Sequence, residues 1–176
     1  DGERAARAAW ALVQAGEEFR RTIPDGVPPV GKTRVGLHYG EAIVGNFGGE
    51  GRIQYTALGD SMNTAARLEA ANKQLGSSIL ASREAAERSG LDWYRMLGRV
   101  VLRGRATPVD ILEPVPGMDP AQRKTFNHLA KQAISGDVSA ITALAEQSSR
   151  IPDDAALASF VFRLAHQEEG GYFVLD

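Results

Sequence analysis

The chain has 176 residues, no cysteine and a formal net charge of −2. This length allows one domain of ordinary size and an additional segment. The lack of cysteine excludes disulfides, thiolate metal sites and thiol nucleophiles. The charges are interspersed, without the basic stripe that a nucleic-acid surface needs, so we expect no nucleic-acid partner. No apolar run approaches the ~20 residues that cross a bilayer, so we also expect no membrane segment in this chain.

The first residues indicate that the chain is part of a longer protein. There is no initiator methionine, and Asp1 leads directly into a helical pattern. We therefore expect the true N-terminus to lie further upstream.

The first part of the chain has a mixed pattern of helices and strands. An amphipathic helix is followed by a proline-rich loop, two strands around a turn or bulge at Gly40, a glycine-rich loop and a third strand. The next helix starts at Asp60–Ser61, whose side chains can cap its first turn, and ends at Gly76, which suits a left-handed C-cap. The predicted elements are helices 3–21, 60–75 and 82–88 and strands 33–39, 41–45, 53–58, 78–81, 93–102 and 109–112.

Pro114, Pro116 and Gly117 mark a change in composition. Beyond them the pattern is helical, with a short apolar segment at 172–175. The predicted helices are 121–134, 138–147 and 154–165. We therefore predict an α+β domain over 1–115 and a small all-α tail over 119–176 that resembles a tetratricopeptide-like hairpin.

Two motif matches are rejected on physical grounds. Residues 26–33 fit the phosphate-binding P-loop pattern, but a helix precedes them, a strand follows, and Pro28 and Pro29 remove two N–H donors. A helix-to-strand connector explains this segment better. Gly48-Gly49-Glu50 is similar to the metal-binding turn of diguanylate cyclases, but Gly51-Arg52 follows where an acidic residue and phenylalanine are needed.

Asn63 and Arg67 have a spacing that suits phosphate binding. They are four residues apart on one predicted helix, so their side chains share a face. Asn63 lies in the first turn, where free N–H groups and the helix dipole favour an anion. A guanidinium one turn further on can donate two parallel hydrogen bonds to phosphate oxygens.

Three segments carry a family resemblance: RVGLHYGEAIVGNFG at 34–48, YTALGDSMNTAARLE at 55–69, and LGRVVLRGRA at 97–106 with Pro108-Val109. In order and spacing they resemble the C-terminal half of the catalytic domain of class III adenylate and guanylate cyclases. The resemblance spans residues 3–114. It implies an incomplete ferredoxin-like domain in front of the all-α tail.

The resemblance also implies residue roles. Asn63 would orient the ribose, and Arg67 would neutralise charge on the α-phosphate. Thr56 falls where the family reads the purine, and a threonine there accompanies adenine recognition. Arg103 matches the cationic residue that contacts the terminal phosphates. Arg52 and Arg105 are weaker candidates that we expect to be solvated, and His38 is expected to be structural.

The metal ligands of the family are not found in this sequence. Two aspartates that hold Mg²⁺ or Mn²⁺, and a lysine for adenine, would lie upstream of Asp1. None of Asp60, Asp92, Asp110 and Asp119 matches them, and Asp60 is better explained as a helix cap.

The family works as a head-to-tail dimer with shared sites, so we expect ATP and a second cyclase subunit as partners. The intact protein is expected to be cytoplasmic, either free or tethered to the cytoplasmic face of a membrane, and to form cyclic AMP and pyrophosphate. We expect this chain alone to be inactive and, with open sheet edges, unstable.

Three other readings remain open. The chain could be a catalytically dead pseudo-cyclase that binds a nucleotide or a partner, or an interaction module centred on the tail. The third is a ferredoxin-like RNA-binding module, but the predicted strands of this chain lack the aromatic side chains on which such modules stack bases.

Overall fold

The computed structural model describes residues 1–49 and 51–175, which form helices and strands in mixed order. In chain order the elements are α1 (Gly2–Arg21), β1 (Val35–Leu37), β2 (Ile43–Gly49), β3 (Arg52–Leu58), α2 (Asp60–Leu75), β4 (Ile79–Ser82), α3 (Arg83–Ser89), β5 (Tyr94–Val101), β6 (Val109–Pro114), α4 (Pro120–Ile134), α5 (Val138–Arg150), α6 (Ala155–Leu164) and β7 (Phe173–Val174). The predicted α+β fold class is confirmed.

Five strands form one sheet in the order β1-β4-β6-β5-β7. The first two are parallel, as the crossover through α2 requires. The pairs β4–β6 and β6–β5 are antiparallel, and β7 lies parallel to β5. β2 and β3 form a separate antiparallel hairpin.

The hairpin corrects the predicted strand limits. The strand expected over 33–39 is only β1, and the one expected over 41–45 is β2, which continues through Gly48 and Gly49. These glycines are extended because they pair with Ile53 and Arg52 across the hairpin. Glu50, of the rejected diguanylate cyclase comparison, lies outside the described residues. The P-loop-like segment 26–33 connects α1 to β1 without regular structure, as predicted.

The limits of α2 depend on two glycines. Gly76 is left-handed with φ 72° and caps the C-terminus, as predicted. At the other end the prediction of a side-chain cap is wrong, because Gly59 is the N-cap residue and neither Asp60 nor Ser61 caps the helix. A side chain at Gly59 would place Cβ 3.1 Å from the Glu41 carbonyl oxygen, so the tight approach of these two segments needs glycine.

One hydrophobic cluster joins the sheet to the tail helices. Leu68 of α2, Leu97 of β5 and Ile111 of β6 pack in the same cluster as Phe126 and Phe160 of the tail. The chain end also joins the sheet, because the Leu175 N–H donates to the Val101 carbonyl. The boundary at 115–119 and the tetratricopeptide-like nature of the tail stay predictions. Side chains on both sides of that boundary share one core.

Within residues 1–49 and 51–175, the helices are too short or too polar to cross a bilayer.

Candidate functional site

The start of α2 presents the two residues that the sequence analysis singled out. Asn63 is exposed and Arg67 is half-buried, one helical turn apart. Thr64 between them is fully buried, and its hydroxyl donates to the Asp60 carbonyl at 2.9 Å. The buried threonine fixes the helix against the protein, while the neighbouring amide and guanidinium remain accessible to a ligand.

Arg67 and Arg103 line the same cavity, of about 290 Å³. Arg67 comes from α2 and Arg103 from the turn between β5 and β6. Gly104, with φ 73°, follows Arg103, and a Cβ there would lie 3.4 Å from a terminal nitrogen of Arg67. The small residue lets the turn approach the guanidinium. Two guanidinium groups at one cavity suit the oxygens of a polyphosphate.

Arg105 has a structural role that sequence reasoning missed. It was expected to be solvated, but it lies 3.4 Å from the Asp60 carboxylate and donates to the Thr64 hydroxyl. These contacts tie the β5–β6 turn, which carries Arg103, to the first turn of α2. No local sequence pattern indicates these contacts, because Arg105 and Thr64 are 41 positions apart in the chain.

Thr56 lies apart from these residues. It is exposed on β3, opposite Gly45 of the hairpin, and neither Thr56 nor Asn63 lines the cavity with Arg67 and Arg103. The structure therefore groups Arg67 with Arg103, places Asn63 one turn away on the same helix, and leaves Thr56 on the projecting hairpin.

His38 makes a structural contact with the residue that caps α3. Its Nδ1 lies 2.8 Å from the Ser82 hydroxyl, which also accepts from the Ala85 N–H and so caps α3. Burial lowers the pKa of His38; the charge of Arg105 adds to this, while Glu84 and Asp60 oppose it. The contact with Ser82 anchors the chain just after β1 to the start of α3.

The aspartates named in the sequence analysis are engaged elsewhere. Asp60 pairs with Arg105, Asp92 with Arg123, and Asp110 with both Arg83 and Arg99, while Asp119 caps α4. In the part of the chain that the structure describes, no group of three His, Asp or Glu side chains is placed to hold a metal ion. Since each of these aspartates is already engaged by an arginine or by a helix N-terminus, they do not fit Mg²⁺ or Mn²⁺.

Known proteins resemble this chain both in sequence and in fold. No family model matches the chain. It is 41% identical over 114 residues to Adenylate cyclase 1 of Rhizobium meliloti (strain 1021), an alignment that covers 64% of this chain and 17% of that protein. The chain therefore corresponds to a small part of that relative.

Solved structures show the same fold. The adenylyl cyclase CyaB from P. aeruginosa superposes with a TM-score of 0.56 at 28% identity, covering 65% of this chain and 59% of that one. The guanylyl cyclase Cya2 superposes with a TM-score of 0.52 at 25% identity, covering 64% and 57%. Together with the sequence relative, these matches show that the chain carries the catalytic-domain fold of the class III adenylyl and guanylyl cyclases.

Proposed function

We propose that the protein containing this chain converts ATP to cyclic AMP and pyrophosphate, and that this chain supplies one side of a site shared by two subunits. The ribose 3′-hydroxyl gives up its proton and its oxygen attacks the α-phosphorus. The bond from the α-phosphorus to the oxygen that bridges to the β-phosphorus breaks, and pyrophosphate leaves with that oxygen. The observation that carries the proposal is the accessible pair Asn63 and Arg67 on α2, with Arg67 and Arg103 at one cavity.

Arg67 has the chemistry that the transition state needs. Negative charge builds on the α-phosphate oxygens during attack, and a guanidinium already held in place stabilises that charge without reorganisation. The buried Thr64 and the Arg105–Asp60 contact hold α2 and the turn in fixed relative positions. Asn63, one turn earlier, would orient the ribose, and Arg103 would bind the terminal phosphates.

Thr56 supports ATP over GTP as the substrate. Its hydroxyl can accept a hydrogen bond from the exocyclic amine of adenine, which guanine lacks at that ring position. Thr56 is exposed on the hairpin and so is accessible to a base.

The hairpin supports a second subunit as the partner. Ile43, Ile53 and Tyr55 are each more than 70% exposed, which is unusual for three large apolar side chains on one hairpin. Surfaces of this kind mark contacts with another chain. Since the described residues do not fit a metal site, the metal ligands would come from upstream segments, across the subunit contact.

The test is cyclase activity of the whole protein with single substitutions on α2. Arg67→Ala and Asn63→Ala should each lower kcat by a factor of about 10² to 10³, the usual loss for one transition-state donor. Lys73→Ala is the matched control, because Lys73 is an exposed cation on the same helix outside the cavity. Rates with ATP and GTP should be measured in parallel.

Two results would decide against the proposal. Wild-type rates in Arg67→Ala and Asn63→Ala would remove the assigned roles. Saturable ATP binding without any turnover by the whole wild-type protein would instead favour the pseudo-cyclase.

A further inference from the structure

Three arginines in the described part of the chain are almost fully buried, and only two of them have partners. Arg95, 7% exposed, donates to Glu113 and Asp154. Arg123, 3% exposed, pairs with Asp92 and donates to the Met118 carbonyl. The Arg163 side chain makes no hydrogen bond or ion pair within residues 1–49 and 51–175, and its Nε and one terminal nitrogen are buried without an acceptor, in a residue that is 4% exposed.

The burial of Arg163 is costly. An unpaired charge removed from water destabilises the folded state by several kcal/mol. The Phe160 ring, 5.6 Å from the guanidinium, offsets only part of that cost. Burial lowers the pKa of Arg163 to about 10, so the side chain is still charged at pH 7. A charge kept in such a position indicates a missing acceptor.

The backbone makes room for this guanidinium. A bulge interrupts the β5–β6 register next to Gly98, which has φ 112°. A Cβ at Gly98 would lie 3.0 Å from the Arg163 terminal nitrogen and 3.1 Å from the Phe160 ring. The glycine at the bulge therefore lets the Arg163 guanidinium and the Phe160 ring lie against the strand, where an ordinary side chain would collide with them.

Arg163 is one of the residues that line a small cavity, which shares four lining residues with a much larger cleft. The cavity, of about 10 Å³, has room for a single oxygen atom. Arg99, Ile134, Gln167 and Gly171 line both the cavity and the cleft, which has a volume of about 880 Å³ and lies between the sheet and the tail. We call it the seam cleft. Its charged lining residues are Arg83, Arg99, Lys131, Asp110, Glu168 and Glu169.

The charged residues that line the seam cleft limit the charge of the ligand that it can bind. Asp110 already pairs with Arg83 and Arg99, at 2.8 Å each, so Lys131 and Arg163 remain as cations for a ligand. The exposed Glu168 and Glu169 oppose a polyanion. A ligand with one oxyanion group fits this arrangement, whereas a nucleoside triphosphate does not.

We propose that the seam cleft binds a small molecule carrying one carboxylate or phosphate group, and that an oxygen of this group enters the narrow cavity and accepts hydrogen bonds from Arg163. The site is separate from the cavity lined by Arg67 and Arg103, and it does not depend on the proposed cyclase activity. A ligand bound in the seam cleft contacts both the sheet and the tail, so its binding stabilises the packing of one against the other.

The test is thermal unfolding of the 176-residue chain in acetate and in phosphate at constant ionic strength. The wild-type Tm should rise saturably with one or both, by about 5 to 10 °C at roughly 100 times Kd. The anion that acts at the lower concentration distinguishes a carboxylate from a phosphate ligand. Arg163→Met should abolish the rise and, without anion, should melt at the same or a higher temperature, because it removes an uncompensated charge.

Arg150→Met is the matched control, since Arg150 is a largely exposed arginine of the tail, and it should keep the full rise. A rise of equal size in Arg163→Met, or no rise in the wild-type chain, would overturn the proposal. If Arg163→Met does not fold, NMR of the wild-type chain decides. Amide shifts confined to Gly98, Gly171 and their neighbours on adding phosphate or acetate support the site, and no shifts there overturn it.

Discussion

The β2–β3 hairpin and the seam between the sheet and the tail are built in opposite ways. The hairpin leaves large apolar side chains in solvent, with Ile53 73% and Tyr55 75% exposed. At the seam, Phe126 and Phe160 are each 1% exposed and pack with the sheet. The buried apolar core therefore lies on the tail side of the sheet, whereas the hairpin, which carries Thr56, keeps its large apolar side chains in solvent.

The buried seam also holds an ion-pair network. Arg95 of β5 donates to Glu113 of β6 and to Asp154, whose carboxylate also accepts from the Leu157 N–H and caps α6. Burial raises the pKa of Glu113 despite the nearby Arg95. For Asp154, burial is outweighed by the hydrogen bonds from Arg95 and the Leu157 N–H and by the charge of Arg95, so the pKa is lowered. The sheet and the tail are therefore joined by polar contacts as well as by apolar packing.

The largest expected effect tests whether the tail and the sheet unfold together. Phe160→Ala should lower the free energy of unfolding by about 3 to 5 kcal/mol, because it opens a cavity in the shared core. Both tryptophans, Trp10 and Trp93, lie in the first part of the chain, so their fluorescence reports on that part alone. The urea midpoint followed by tryptophan fluorescence should fall although the substitution is in the tail.

Phe162→Ala is the matched control on the same helix, because Phe162 is 58% exposed. It should change the free energy of unfolding by less than about 0.5 kcal/mol. If the tryptophan transition of Phe160→Ala is unchanged, the tail unfolds independently, and the tail side does not stabilise the first part of the chain.

A smaller effect concerns the ion pairs in the seam cleft. Burial alone would raise the pKa of Asp110, but hydrogen bonds and charge from Arg99 and Arg83 outweigh it and hold the pKa below its ordinary 3.8. A lowered folded-state pKa stabilises the protein above the unfolded pKa, and this contribution is lost as pH falls through the folded value. Asp110→Asn should thus lower the free energy of unfolding by about 1 kcal/mol at pH 7.

The pH dependence separates this effect from simple damage to the fold. The difference between Asp110→Asn and wild type in urea unfolding should shrink as the pH falls below about 4, because wild type then loses the same contribution. Asp153→Asn, at an exposed position, is the control and should follow wild type throughout. A difference that stays constant with pH would mean that the charge of Asp110 contributes no stability.

Local signals predicted most of the fold, and long-range pairs explain what was missed. The limits of α2 and of the tail helices follow from glycines, prolines and apolar periodicity, which act within a few residues. The cap at Gly59 was missed because it depends on the approach of Glu41. The contact of Arg95 with Asp154 joins residues 59 positions apart, and that of Arg105 with Thr64 joins residues 41 apart, so no local pattern indicates either one.

The sequence predicted only the part of the candidate site that lies on one helix. Asn63 and Arg67 share a face because the helical period requires it. That Arg67 and Arg103 meet at one cavity depends on the β5–β6 turn and on Gly104, which only the folded sheet brings near α2. The orphaned guanidinium of Arg163 could not be read from the sequence, because it depends on the bulge at Gly98.

The smallest expected effect on stability is on the hairpin. Ile53→Ser should change the free energy of unfolding of this chain by less than about 0.5 kcal/mol, because the side chain is already in solvent. In the whole protein the same substitution should weaken subunit association about tenfold or more, since the exposed apolar side chains are proposed to contact the second subunit. Sedimentation equilibrium gives the dimer Kd, and urea unfolding gives the stability.

The tail provides the control for that substitution. Val138 is 74% exposed on α5, away from the hairpin, so Val138→Ser removes a similar apolar side chain without touching the proposed contact. It should leave both the dimer Kd and the stability unchanged. A loss of stability in Ile53→Ser would show that the hairpin packs within its own chain, and an unchanged Kd would place the subunit contact elsewhere, because an apolar side chain buried between subunits cannot be removed without cost to association.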